Sequence, residues 1–161
     1  MDARKLIIKA KDIEEMEGER RIHFLNPNAD RIRKSLGDVV GLNNIGVHLI
    51  YVEPGKDSTE YHKHYCEEEC IYVLVLSGRR TLVIEGESFQ FEEGDFVGFP
   101  ANTAAHSLKN TGSKTLICLV MGQRLGQDVA DYPNQGKRLY RNSGEWNLVD
   151  LDTVIDPRTK V

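Results

Sequence analysis

The stretch His62-Lys63-His64-Tyr65-Cys66-Glu67-Glu68-Glu69-Cys70-Ile71-Tyr72-Val73-Leu74-Val75-Leu76-Ser77-Gly78 carries a chemical pattern and a structural one together. Successive side chains of a β-strand point to opposite faces, so His62 and His64 share a face, and two imidazoles placed that way can share a metal ion. Glu69 follows five positions later, at the start of a run from Cys70 to Leu76 that is apolar almost throughout and stops at the turn signal Ser77-Gly78. Such a run predicts a strand buried on both faces. A carboxylate facing inward at its start needs a partner, and a metal ion supplies one.

Working outward, the same texture of short β-rich runs extends from Gly46 to Gly122. The runs are Val47 to Val52, Cys70 to Leu76, Thr81 to Ile84, Ser88 to Phe91, Asp95 to Phe99, Ala105 to Lys109 and Thr115 to Met121. Turn residues cut them apart, among them Glu53-Pro54-Gly55, Glu85-Gly86, Glu93-Gly94-Asp95 and Asn110-Thr111-Gly112. Strands at this spacing with no helical segment between them specify an antiparallel sandwich or barrel, not a βαβ sheet. Three segments result: an N-terminal arm over 1–45, a β-barrel over 46–122 and a C-terminal extension over 123–161. The arm holds a possible strand at Leu6 to Lys9 and a helical turn or loop over 12–20. The extension reads as a polar tail with Trp146 as its apolar anchor.

Composition narrows the function classes. At 161 residues the chain suits one compact domain, and 40% hydrophobic with 29% charged residues is ordinary for a folded globular protein. The net charge is −4 and the basic residues fall in short clusters (Arg31, Arg33 and Lys34; Arg79 and Arg80; Lys137, Arg138 and Arg141), which argues against nucleic acid as a partner. No apolar segment approaches bilayer-spanning length and the N-terminus lacks a signal-peptide pattern, so no membrane partner and a cytoplasmic location are expected. Cys66, Cys70 and Cys118 read as reduced thiols, since no second Cys or His pair completes a zinc knuckle.

A second block completes the pattern: Gly94-x5-Pro100-x-Asn102-x3-His106-x3-Asn110 follows His62-x-His64-x4-Glu69. In these two blocks the sequence resembles the cupin superfamily, whose motifs have the form G-x5-H-x-H-x3,4-E-x6-G and G-x5-P-x-G-x2-H-x3-N. The resemblance covers about Gly46 to Gly122. It implies an all-β, single-domain cupin jelly-roll β-barrel with N- and C-terminal extensions, and it places His62, His64, Glu69 and His106 at the family's four metal-ligand positions. The chain departs from the pattern at Gly55, one residue further from His62, and at Gly78, two residues further from Glu69. Asn102 replaces the second-motif glycine, and one extra residue precedes His106. Asn tolerates the left-handed turn conformation better than most residues. The lengthened segment before Gly78 leaves Glu67 and Glu68 as competitors of Glu69, and Glu68 satisfies the shorter family spacing.

Three imidazoles and one carboxylate suit one divalent transition metal, Fe, Mn, Ni, Co or Zn, rather than calcium or magnesium. Four protein ligands on an octahedral ion leave two positions for a small-molecule substrate. The reading that follows is a metal-dependent enzyme on a small oxygenated metabolite, with a sugar or sugar-phosphate isomerase as one specific form. An iron-dependent dioxygenase and a non-catalytic metal- or sugar-binding cupin are the alternatives. Glu69, Tyr61 and Tyr72, with Glu60, are the groups expected to move protons, and Arg79 and Arg80 are candidates for holding an anion. His23 and His48 read as satisfied polar residues. The β-rich arm and the Trp146 tail, placed to cover sheet edges of a second subunit, predict a homodimer.

Overall fold

The computed structural model of the chain describes residues 3–75 and 80–159. A 3-10 turn at Ala3–Leu6 and the helix α1 (Ala10–Glu15) lead into strands β1 (Glu19–His23) and β2 (Asn26–Ser35), then the one-turn helix α2 (Leu36–Val39). There follow β3 (Ile45–Val52), β4 (Lys63–His64), β5 (Glu69–Val75), β6 (Thr81–Ile84), β7 (Glu87–Gln90), β8 (Phe96–Phe99), β9 (His106–Lys109) and β10 (Leu116–Gln123). The chain closes with β11 (Gln127–Tyr132), β12 (Lys137–Asn142) and β13 (Glu145–Asp150). The seven runs read from the sequence between Gly46 and Gly122 all form strands, each within two residues of its expected bounds. The turn at Ser77-Gly78 lies outside the described residues.

The strands assemble into an all-β jelly roll of antiparallel sheets. One sheet has the order β1-β2-β3-β10-β5-β8, a second β13-β12-β11-β4 and a third β7-β6-β9. Ile50, Val52, Ile71, Val73, Phe99, Leu116 and Cys118 of the first sheet pack against Leu82 and Leu108 of the third, with Phe91, to form the main core. Ala130, Tyr132 and Leu139 make a smaller cluster under Leu25. Parts of the two terminal segments extend these sheets: β2 pairs along β3 with Arg33 opposite Ile50, and β11 pairs with β4 with Ala130 opposite His64. Among the described residues no helix is long and apolar enough to cross a membrane.

Three local expectations change. Leu6 to Lys9 form no strand; Ala3–Leu6 curl into the 3-10 turn and Ile7 is exposed, because no strand among the described residues runs alongside to take their backbone groups. The helical turn of the arm is α1, and Glu19 already opens β1. β5 is buried on one face only: Ile71 and Val73 are in the core, whereas Tyr72 between them is 38% exposed. Its outer residues are apolar without being covered by another layer. Asn102 adopts φ +55°, the left-handed conformation that glycine takes freely and asparagine tolerates, and its N–H donates to the His64 carbonyl at 2.9 Å.

Candidate metal centre

His62 lies on the extended approach to β4, directly opposite His106 at the start of β9. Each backbone N–H donates to the other's carbonyl, His62 to His106 at 3.0 Å and His106 to His62 at 2.8 Å. His64, two residues on, projects to the same side as His62. Glu69 opens β5 with Gly122 of β10 on one side and Phe99 of β8 on the other. Pairing across sheets therefore brings residues 44 positions apart in sequence, His62 and His106, onto one carboxylate. Glu69 Oε2 lies 3.5 Å from His62 Nε2, 3.7 Å from His106 Nε2 and 4.0 Å from His64 Nε2.

The other ring nitrogens fix which atoms face this centre. His62 Nδ1 lies 2.8 Å from the Glu60 carbonyl, His106 Nδ1 3.2 Å from the Ala104 carbonyl, and His64 Nδ1 2.5 Å from Asp128 Oδ2. All three partners are acceptors, so each Nδ1 carries the proton and each neutral Nε2 presents a lone pair. Phe99 stacks on the His106 ring with centroids 3.4 Å apart and holds it in place. His106 Nε2 is buried without a hydrogen-bond partner. Three lone pairs and a carboxylate facing one another repel, and a cation among them satisfies all four. The donor set fits a divalent transition ion with mixed imidazole and carboxylate ligands.

The electrostatics follow the same geometry. Burial works to raise the Glu69 pKa, but where a proton on His106 or His62 Nε2 stands in for a cation, its hydrogen bond to Glu69 outweighs burial and holds the carboxyl well below the usual carboxylate range. Burial pushes His62 down, Glu69 offsetting only part of it. For His64 burial is outweighed by Asp128, Glu69 and Glu67, and its pKa rises.

Of the three consecutive glutamates, Glu69 is the one that lies against all three histidines. Glu68 is exposed, and Glu67, although buried, points to Arg141 and accepts the Leu125 N–H at 2.6 Å. Tyr72 sits on the outer face of β5, away from Glu69. Tyr61 points away from His62 toward Glu85 at the β6–β7 turn, where burial and that carboxylate raise its pKa. Neither tyrosine lines the cavity described below, so the proton-moving roles expected for them lose their geometric basis. Glu60 contributes its backbone carbonyl to His62. Arg80 is fully buried and donates to the Lys114 carbonyl at 3.0 Å, away from the histidines; Arg79 lies outside the described residues. Asn110 clamps the Val52 and Lys114 carbonyls at 2.7 and 2.9 Å, a structural role.

Sequence reasoning passed over Asp128, whose Oδ1 also accepts the N–H groups of Cys66 and Glu67 at 3.1 and 3.3 Å. The signal was available in the alternation Asp128, Ala130, Tyr132, all buried within a segment read as a tail. It also passed over the cavity. His62, His64 and Glu69 line a space of about 350 Å³ whose walls include His23, His48, Arg31, Arg33 and Arg124. Trp146, expected to anchor the tail, stands at the wall of this cavity, 59% exposed.

Residues 48–122 match the cupin domain family. The chain carries a small cupin domain. Among solved structures, this cupin is similar to a candidate sugar phosphate isomerase of Acidithiobacillus ferrooxidans, with 59% identity, TM-score 0.94, and coverage of 98% of this chain and 100% of that one. It is also similar to a protein of Silicibacter pomeroyi described as a sugar phosphate isomerase from a cupin superfamily, with 26% identity, TM-score 0.77, and coverage of 91% and 94%. An uncharacterised protein of Methanocaldococcus jannaschii is 34% identical over 70 residues, which are 42% of the cupin and 54% of that protein. The cupin thus aligns with about half the length of this curated relative.

Proposed function

We propose that this cupin is a metal-dependent enzyme acting on a small oxygenated metabolite, and that isomerisation of a sugar phosphate is its reaction. The observation that carries the reading is the convergence of His62, His64 and His106 Nε2 on Glu69 Oε2 at the wall of a cavity large enough for a small metabolite. The names of the two similar solved structures point to the same substrate class. A divalent ion held by these four residues would supply Lewis-acid polarisation of a carbonyl and its neighbouring hydroxyl, and so acidify the C–H of the hydroxyl-bearing carbon.

The chain's own residues do the rest. Asp128 fixes the His64 tautomer, and the carbonyls of Glu60 and Ala104 do the same for His62 and His106. His23, on the cavity wall, is pushed down to about 4 by burial and by the nearby His62 and Arg31, so it is neutral near pH 7. Its Nδ1 accepts the Leu25 N–H at 3.2 Å, which leaves the Nε2–H free to donate a hydrogen bond to a bound substrate. His23 thus offers a donor on the cavity wall, where Tyr61 and Tyr72 do not reach.

The test begins with metal bound per chain, on protein purified without a histidine tag. His62→Ala, His64→Ala, His106→Ala and Glu69→Ala are each expected to lose most of the ion, and Glu68→Ala to keep it. A panel of aldose and ketose phosphates then reads turnover. Full metal content in the histidine variants, or a loaded protein that turns over no sugar phosphate, overturns the reading.

A further inference from the structure

The cavity is more basic than the chain as a whole. Arg31 and Arg33 stand two residues apart on β2, so both side chains leave the same face, and they sit opposite Val52 and Ile50, whose side chains are in the core. Both arginines line the cavity that holds His62, His64 and Glu69. Of the other charged groups on its wall, Arg124 is paired with Asp38 at 2.6 Å, Arg141 with Glu67, and Asp128 with His64. Arg33 shares Glu19 with Arg21, at 3.0 Å, and its Nε is buried with no hydrogen-bond partner. Arg31 forms no ion pair among the described residues; its one hydrogen bond goes to the Ser58 carbonyl.

The negative charge that bears on Arg31 is Glu69, the residue that a bound cation would claim. With Glu69 engaged, the Arg31 guanidinium is left partly buried and uncompensated, beside a second guanidinium. Burial and the neighbouring Arg33 already act together to lower its pKa. A planar fork of five donors with most of them unused is suited to an oxyanion with several acceptor oxygens. Gly46 widens this end of the cavity: a Cβ there would meet His48 Nε2 at 2.9 Å and Arg124 Nε at 3.1 Å, so its absence lets those two side chains occupy the wall.

We propose that Arg31 and Arg33 form an oxyanion subsite that seats the terminal phosphate or carboxylate of the substrate while the His62, His64, His106 and Glu69 centre faces its hydroxylated end. The inference rests on the reading of this cavity as the substrate site, and it deepens that reading by naming the residues that hold the substrate's anionic terminus.

The experiment is calorimetric titration of the full chain, metal-loaded and after chelation, with inorganic phosphate and with malonate as probes. Arg31→Met and Arg33→Gln are titrated alongside, with metal content measured in each. Wild type is expected to bind an oxyanion, and each variant to bind it roughly tenfold to a hundredfold more weakly at unchanged metal content. Preference for phosphate assigns phosphate esters, preference for malonate assigns carboxylates, and either supports the subsite. Arginine-dependent binding that survives chelation supports it independently of the metal centre, whose own failure is read from metal content alone. If Arg31→Met does not fold, Arg33→Gln and the wild-type titration decide. Absence of binding to wild type, or equal affinity in the folded variants, overturns the proposal.

Discussion

At the scale of single residues, the centre depends on side chains that never face it. Asp128 is 4% exposed, accepts from His64 Nδ1, and draws two backbone N–H groups onto its other oxygen. Burial works to raise its pKa, but the His64 contact and those N–H groups win and keep it low. A charged acceptor on Nδ1 raises the basicity of Nε2 and fixes its direction, and loss of such a partner typically weakens metal binding by about 10- to 100-fold. Asp128→Asn removes the charge at nearly constant shape. We expect it to weaken the ion by about that factor in a chelator competition while the circular dichroism of the chain stays unchanged; equal affinities would show that Asp128 serves only the backbone of Cys66 and Glu67. The choice of Glu69 over Glu68 belongs to the same scale. Spacing left both open; in the fold Glu69 opens β5 facing the histidines, and Glu68, just before the strand, is exposed.

At the scale of elements, the strand that carries Asp128 is held by its own small core. Ala130 and Tyr132 of β11 and Leu139 of β12 pack together under Leu25. Leu139→Ala leaves a void in that cluster and is expected to cost about 2–5 kcal/mol of stability in urea unfolding. Because β11 brings Asp128 to His64, the same variant should also bind the ion more weakly. A stability loss with wild-type metal affinity would mean that β4 alone holds His64 in place. Seven of the eight strands from β3 to β10 were legible because each alternates or runs apolar between turn residues. β2 was not, and the reason is physical: its inward positions are Arg31 and Arg33, set opposite core residues of β3, while Ile32 between them is exposed. A strand that faces a polar cavity inverts the hydrophobic pattern by which strands are recognised.

At the scale of the whole molecule, a chain of net charge −4 folds so that a basic cavity opens inside it. The cavity leaves a signature in the acid stability of the fold. His23 and His48 are both pushed down to about 4, first by burial and then by charges around them, which for His48 are chiefly Arg33 and Arg124. In the unfolded chain an imidazole titrates near 6.5. Between pH 6.5 and about 4 the unfolded state therefore binds protons that the native state refuses, and stability falls as pH drops through that window. His48→Gln removes one of the two groups and retains an amide for Ser35 and Arg124. Melting of the chelated chain at pH 7 and pH 4.5, in buffers free of phosphate, should show a smaller loss of melting temperature for the variant than for wild type. Parallel losses would mean that His48 is already protonated in the fold.

The sequence by itself determined the strand texture from Gly46 to Gly122 and the all-β class, and it marked His62, His64 and His106 as candidate ligands beside a glutamate of the 67–69 run, because alternation, turn chemistry and motif spacing are local properties of the chain. Asn102 belongs with them, since its tolerance of positive φ is a property of the residue. Only the tertiary structure decided which glutamate faces inward, that Asp128 backs His64 across 64 positions, and that Tyr61 and Tyr72 point away from the cavity. It alone also decided that Arg31, Arg33 and His23 line the same space as the histidines. Those facts depend on strand pairing between distant segments, and a polar residue on an inward face gives no period-two apolar signal to announce which way it points.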